Sequence, residues 1–258
     1  MKTALTNLIL TTLVTISLAS AGDCFAQTGE LKPPGLREGN RWVVPVPKSG
    51  KPAIPRAFAS LKSAFFEGHP DVPVAIAPQI NHWELKFKGE APADKIVLEF
   101  DSFPALAAEL KPIQQLGDST LTLPCSLGTT HGQKLRFEPQ PHKNTIGFWT
   151  KKTDSVTWEV EITKPGKFNI GILQGAARNG GGTARISVGS DAQVLDSVEY
   201  QVNVTGHFQN FVWQPAGTIE IPKAGTYTIK IEAVEISKVA LMDVRQLHLS
   251  PVPKGMKN

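Results

Sequence analysis

An all-β protein is predicted, in which a jelly-roll β-sandwich follows a small β-rich region, and three observations predict it. The first is period-two alternation: Val156, Trp158, Val160 and Ile162 interleave with Thr157, Glu159 and Glu161, which a pleated strand sends to opposite faces. The second is turn chemistry between short runs. Lys164-Pro-Gly-Lys167 has Pro and Gly where a type II turn needs them, and Lys223-Ala-Gly225 and Arg178-Asn-Gly-Gly-Gly182 punctuate the chain again. The third is composition, with 20 prolines and 22 glycines among 258 residues and few helical runs.

Taken in order, residues 1–26 read as a secretory leader. Lys2 supplies the positive charge, and Leu5 to Leu18 is an apolar run too short to span a bilayer. Cleavage after Ala26 is favoured over cleavage after Ala21. The first leaves Cys125 as a lone buried thiol, and the second allows a Cys24–Cys125 disulfide in an oxidising compartment. Residues 27–55 are rich in Pro, Gly and Lys and read as an extended arm or linker. Residues 56–123 read as a small β-rich domain, with Trp83, Leu85 and Phe87 on one strand face and Lys95–Asp101 as a second strand. Phe58–Phe66 reads as a short helix or a strand pair, and Pro104–Leu116 as a short helix broken at Pro112. Residues 124–252 carry the sandwich. Phe168, Ile170 and Ile172 face inward, as do Ala184, Ile186 and Val188, and Tyr227, Ile229 and Ile231. Residues 253–258 form a tail.

The net charge of +4 is spread over turns, with Lys151-Lys152 as the one basic doublet, so nucleic acid is not an expected partner. No later apolar run is long enough for a membrane span. The expected location is secreted or periplasmic, in the cell envelope. The six histidines show no metal-ligand spacing, and neither a nucleophile elbow nor a phosphate loop occurs. Glu99 and Asp101 share a strand face and superficially resemble a glycosidase pair, but alternation with Leu98 and Phe100 favours a solvated face. No catalytic residue, cofactor or metal is assigned.

Aromatic residues on loops are the remaining chemistry. Trp149 follows Gly147 and precedes the polar run Thr150–Ser155, where an indole can stack on the C–H face of a sugar. In Thr205-Gly-His-Phe-Gln-Asn-Phe-Val-Trp213, Phe208 lies near the turn and His207, Gln209 and Asn210 offer hydrogen bonds. Trp158 is in phase with the core, and Phe211 and Trp213 are in phase with each other, with core packing the default for Phe211.

These segments carry a resemblance. His131-Gly-Gln-Lys-Leu-Arg-Phe-Glu138, Asn144-Thr-Ile-Gly-Phe-Trp149, Asp154-Ser-Val-Thr-Trp158, Thr205-Gly-His-Phe208, Ala224-Gly-Thr-Tyr227 and Leu241-Met-Asp243 resemble modules related to family 6 carbohydrate-binding modules. Among them, the segments His131–Glu138, Asn144–Trp149 and Leu241–Asp243 resemble more closely a variant appended to secreted bacterial fucosidase-like and sulfatase-like proteins. The resemblance implies a galactose-binding-like sandwich that holds glycans near Trp149 and Phe208. It also lets Glu138 correspond to a ligand of a structural calcium, although the sequence supplies no full set of oxygen ligands. Thr205-Gly-His-Phe208 stands where many members have T-G-G-W, and the late loop asparagine of many members is absent from 238–243. Trp83–Phe87 and Asp94–Asp101 resemble the β-region after the barrel of α-L-fucosidase-like proteins. Fewer than about a hundred mature residues precede the sandwich, too few for a (β/α)8 barrel of about 250.

The sequence therefore leads to a non-catalytic carbohydrate-binding protein. Its alternatives are a structural or interaction module docking other envelope proteins, and an accessory or remnant of a fucosidase-like glycoside hydrolase.

Overall fold

The alternating patterns of the second half become two facing sheets. They were located in a computed structural model that describes residues 32–190 and 193–253. The leader, Cys24 and the tail beyond Pro253 lie outside the described residues. Among the described residues there is no α-helix, and none is long and apolar enough to cross a membrane.

The first eight strands are β1 (Leu36–Glu38), β2 (Arg41–Pro45), β3 (Ala53–Pro55), β4 (Leu61–Phe66), β5 (His69–Pro73), β6 (Ala75–Pro78), β7 (His82–Lys86) and β8 (Lys95–Phe100). They form a five-stranded sheet ordered β1-β2-β8-β4-β5 and a three-stranded sheet ordered β3-β7-β6. The described part of the proline-rich stretch expected to be an arm, residues 32–55, contributes three strands to these sheets. Pro45 and Pro55 each end a strand, where a missing N–H is tolerated. Trp42 is buried and its indole donates to the Pro34 carbonyl at 2.7 Å. Phe58–Phe66 contributes strand β4, and Pro104–Leu116 holds only a 3₁₀ turn at Ala107–Glu109 before β9 (Ile113–Gln114).

The sandwich consists of β10 (Leu121–Pro124), β11 (Thr129–His131), β12 (Arg136–Glu138), β13 (Thr145–Gly147), β14 (Ser155–Ile162), β15 (Gly166–Gly175), β16 (Gly182–Ser190), β17 (Gln193–Gln201), β18 (Val212–Ile221), β19 (Gly225–Ile236) and β20 (Asp243–Pro251). One sheet is ordered β12-β13-β20-β15-β18, with β10 also on β20; the other is ordered β11-β14-β19-β16-β17, with β9 also on β14. Chain neighbours such as β13 and β14, or β19 and β20, lie in opposite sheets, as a jelly roll requires. Val156, Trp158, Val160, Ile170, Ile172, Ile186, Ile229 and Ile231 fill the space between them, all buried. Gly166 opens β15 with φ +149°, more extended than the value of about +80° that a type II turn has at that place.

Both groups of sheets belong to one compact unit. Trp83 of β7 lies 6.3 Å from the Phe100 ring and 6.2 Å from that of Phe137 on β12, so one indole touches both groups. Beside it, Arg56 is buried between the Phe58 and Phe137 rings, its guanidinium carbon 4.3 and 5.1 Å from their centroids. The guanidinium donates to the carbonyl of Gly128 at 2.7 Å and to that of Ser126 at 3.5 Å, and its Nε has no partner. Burial pulls its pKa down to about 9. Cys125 nearby is a free buried thiol that donates to the Asn144 carbonyl at 3.0 Å, and burial pushes it up to about 12.

Arg56→Ala is expected to cost about 3 kcal/mol in urea unfolding, since it empties the space between two rings and removes the donors. Arg56→Met keeps the volume and removes an unpaired Nε, so its cost should be clearly smaller. Equal losses in the two variants would show that charge, not filling, matters at this position.

Candidate functional site

The loop end of the sandwich is organised by Asp154. Its buried carboxylate accepts the backbone N–H groups of Gln133, Lys134 and Leu135 at 2.8, 2.9 and 2.8 Å. Gly132 makes this approach possible, because a Cβ there would lie 2.1 Å from the carboxylate. The Asp154 carbonyl accepts the Trp149 indole N–H at 3.2 Å, and the Trp149 carbonyl accepts the N–H of Leu241 at 2.9 Å. Trp149 is 0% exposed. The expectation that it stacks on a sugar is therefore corrected: its ring plugs the end of the core and presents no face to a ligand. Phe148 takes its place at the surface. With φ +61° it reverses the alternation, and it is 45% exposed with the Arg136 guanidinium 3.4 Å from its ring centroid.

Phe208, His207, Gln209 and Asn210 come together on one loop beside the 175–180 segment, but most of their polar groups serve the loop itself. His207 is exposed, and its Nδ1 accepts the Gln209 N–H at 3.1 Å. Asn210 donates its side-chain amide to the Thr205 carbonyl at 2.5 Å and its N–H to His207. Phe208 is half-buried, with its carbonyl against Gly175 and its ring against Gly180. The Gln209 amide reaches the Asp243 carboxylate at 3.5 Å.

A further open aromatic surface lies on the outer face of the β12-β13-β20-β15-β18 sheet. Trp213 of β18 is 48% exposed there. It lies over Gly171 of β15, whose missing side chain leaves room for the indole, since an added Cβ would sit 3.4 Å from two ring carbons. His248 of β20 meets it edge to face at 6.5 Å and 78°, and the His248 Nδ1 is hydrogen-bonded to the Thr122 hydroxyl at 3.1 Å. Leu173 pairs with Trp213 on one side and Gln246 on the other, so Gln246, Leu173 and Trp213 form one row across the sheet. Phe211 is half-buried and stacks on the Arg245 guanidinium at 3.7 Å. Arginines thus occupy faces of Phe148 and Phe211, while the Trp213 indole has none over it. Simple alternation puts Trp213 inward with Ile219 and Ile221. A β-bulge turns it outward: Ile170 pairs with Gly217 and Gly171 with Pro215, leaving buried Ala216 as the extra residue. Pro215-Ala216-Gly217 inside a strand was the legible signal for that bulge.

On the same face, Glu138 and Asp243 are both buried and approach each other over Gly147. A Cβ at Gly147 would lie 2.8 Å from an oxygen of each. Burial, and then the neighbouring Glu138, push the Asp243 carboxyl up to about 8, against the opposite pull of Lys143 and of the Gln209 hydrogen bond. The Lys143 ammonium lies 2.6 Å from Glu138. Calcium takes about six to eight oxygen ligands. This place offers two carboxylates with an ammonium already on one of them, and among the described residues no group of three or more acidic, His or Cys side chains gathers. The residues as placed do not fit a calcium ion.

Glu99 and Asp101 are held in local contacts. Glu99 accepts from the Ser63 hydroxyl at 2.9 Å and faces the Arg41 Nε at 3.4 Å. Asp101 accepts from the Ser60 N–H and the Ser102 hydroxyl, each at 3.0 Å.

Residues 135–253 match a protein-family model described as a domain of unknown function, DUF5077. No curated protein matches the chain. Among solved structures, it is similar to the C-terminal CBM6 of LamC, a marine laminarinase from Zobellia galactanivorans, at 16% identity and TM-score 0.41, over 51% of this chain and 98% of that one. A family 35 carbohydrate-binding module from Clostridium thermocellum shares 11% identity at TM-score 0.42, over 52% and 99% of the two chains. An α-L-fucosidase from Vibrio sp. strain EJY3 shares 16% identity at TM-score 0.34, over 82% of this chain but only 38% of its own. Likenesses this distant transfer no activity to the chain.

Two outcomes follow from the geometry. Trp149→Ala should destabilise the protein by about 3–5 kcal/mol in urea unfolding, as an emptied core site does. Asp243 gives a pH effect of defined sign. Its carboxyl keeps a proton in the folded protein that the unfolded chain gives up near the ordinary carboxylate pKa, so its contribution lowers stability as pH rises from that value to about 8. Urea midpoints at pH 5 and pH 8 should therefore differ less in Asp243→Asn than in the wild type.

Proposed function

We propose that the protein is an exported, non-catalytic glycan-binding protein whose sandwich holds a saccharide on its outer sheet face across Trp213. One observation carries this reading: the half-exposed indole packs over Gly171 and meets His248, with Gln246 and Thr122 further across the same sheet face. The C–H face of a pyranose stacks on such a ring, while neighbouring polar groups take its hydroxyls. The leader-like residues 1–26 support export to the envelope or beyond. The motif resemblance to modules of secreted fucosidase-like proteins supports a role beside polysaccharide-active enzymes.

The expected ligand is a neutral glycan, because the groups around the indole are mostly uncharged. A glycan array followed by affinity electrophoresis on the best hit tests this. Trp213→Ala should weaken binding at least about tenfold, or about 1.4 kcal/mol, while costing under about 1 kcal/mol of stability at a half-exposed position. Binding that survives Trp213→Ala but is lost in Phe148→Ala would move the ligand to the loop end. No retained glycan, together with one recovered envelope protein, would favour docking instead.

A further inference from the structure

We propose that the Lys143 ammonium is the resident cation of the Glu138–Asp243 pair. A side chain of the protein fills the place a divalent ion would otherwise hold, so this sheet face keeps its shape without metal. This goes beyond glycan binding and does not depend on it.

The placement follows from the strands upward. Arg136 and Glu138 project from the outer face of β12, with Gly147 and Thr145 opposite them on β13. Ile146 pairs with Val244, which brings Asp243 of β20 beside Gly147. Gly175 of β15 pairs with Asp243 on the other side. Two glycines therefore flank the aspartate, and across Gly147 the carboxylates of Glu138 and Asp243 converge in a buried space. Asp243 keeps its proton there, and the charge left on Glu138, out of water, needs a positive partner.

Lys143 supplies it from the β12–β13 connection, 2.6 Å from Glu138 and close enough to Asp243 to act on its charge. Hydrogen bonds hold the backbone that carries the lysine. Its N–H and that of Asn144 both bond the Gln140 carbonyl at 2.8 Å. Its own carbonyl accepts from Arg245 at 2.6 Å, and that of Asn144 accepts from the Cys125 thiol at 3.0 Å. The Gln140 amide donates to Ile76 of β6 at 2.9 Å, anchoring the same connection to the N-terminal sheets. The other charged group at the cluster, Arg136, is stacked on Phe148. Lys143 is thus the cation that the connection delivers to the pair.

Thermal unfolding of the full chain in EDTA and in millimolar calcium chloride tests the assignment. The wild-type melting temperature should be the same in both within about a degree. Lys143→Met should melt several degrees lower in EDTA and regain part of the loss in calcium, because the Glu138 carboxylate then loses the ammonium beside it. Lys143→Arg keeps the charge and should stay insensitive to calcium, which covers the case in which the methionine variant fails to fold. A wild type that loses stability in EDTA and recovers it with calcium overturns the proposal. So does a Lys143→Met protein that melts like the wild type or ignores calcium, or a Lys143→Arg protein that needs calcium.

Discussion

The loop end of this sandwich depends on one buried corner, where the Asp154 carboxylate gathers three consecutive N–H groups and its carbonyl holds the Trp149 indole. A carboxylate with three short bonds to backbone donors is a strong and directional constraint. It fixes the 132–135 turn, draws Trp149 into the core and, through the Trp149 carbonyl, sets the start of the 241–243 segment. The neighbouring residue must then turn the other way, and Phe148 emerges in a left-handed conformation. Which aromatic faces solvent at this end is settled by a carboxylate several residues away in the chain.

The same logic sorts the aromatic surface available to a ligand. A guanidinium over a ring contributes about 0.5–2 kcal/mol, and Arg136 and Arg245 commit Phe148 and Phe211 to such stacks. Trp213 carries no cation and rests on a glycine, so its open ring is a property of the sheet rather than of a mobile loop. A platform built on paired strands is held more rigidly than one on a turn, and rigid placement limits the entropy lost when a sugar settles on it.

Much of the fold was legible because alternation is local. Val156 to Ile162, Phe168 to Ile172, Ala184 to Val188 and Tyr227 to Ile231 point as their period says. The site was less legible, for two kinds of reason. A single left-handed residue at 148 and one extra residue at 216 each reverse a phase, so Trp149 went inward and Trp213 outward against simple reading. The Glu138, Lys143 and Asp243 cluster joins residues about a hundred positions apart, and only strand pairing brings them together. The prolines of residues 27–55 hid strands for a third reason: Pro45 and Pro55 mark strand ends, which composition alone cannot distinguish from a linker.

Arg56 has a consequence for how the chain comes apart. Its guanidinium, with no carboxylate beside it, is tolerable only while two aromatic rings and two carbonyls enclose it. Any opening between the N-terminal sheets and the sandwich admits water to that charge, and hydration rewards further opening. A half-separated chain therefore gains little by stopping, and the two groups of sheets are coupled into one cooperative transition.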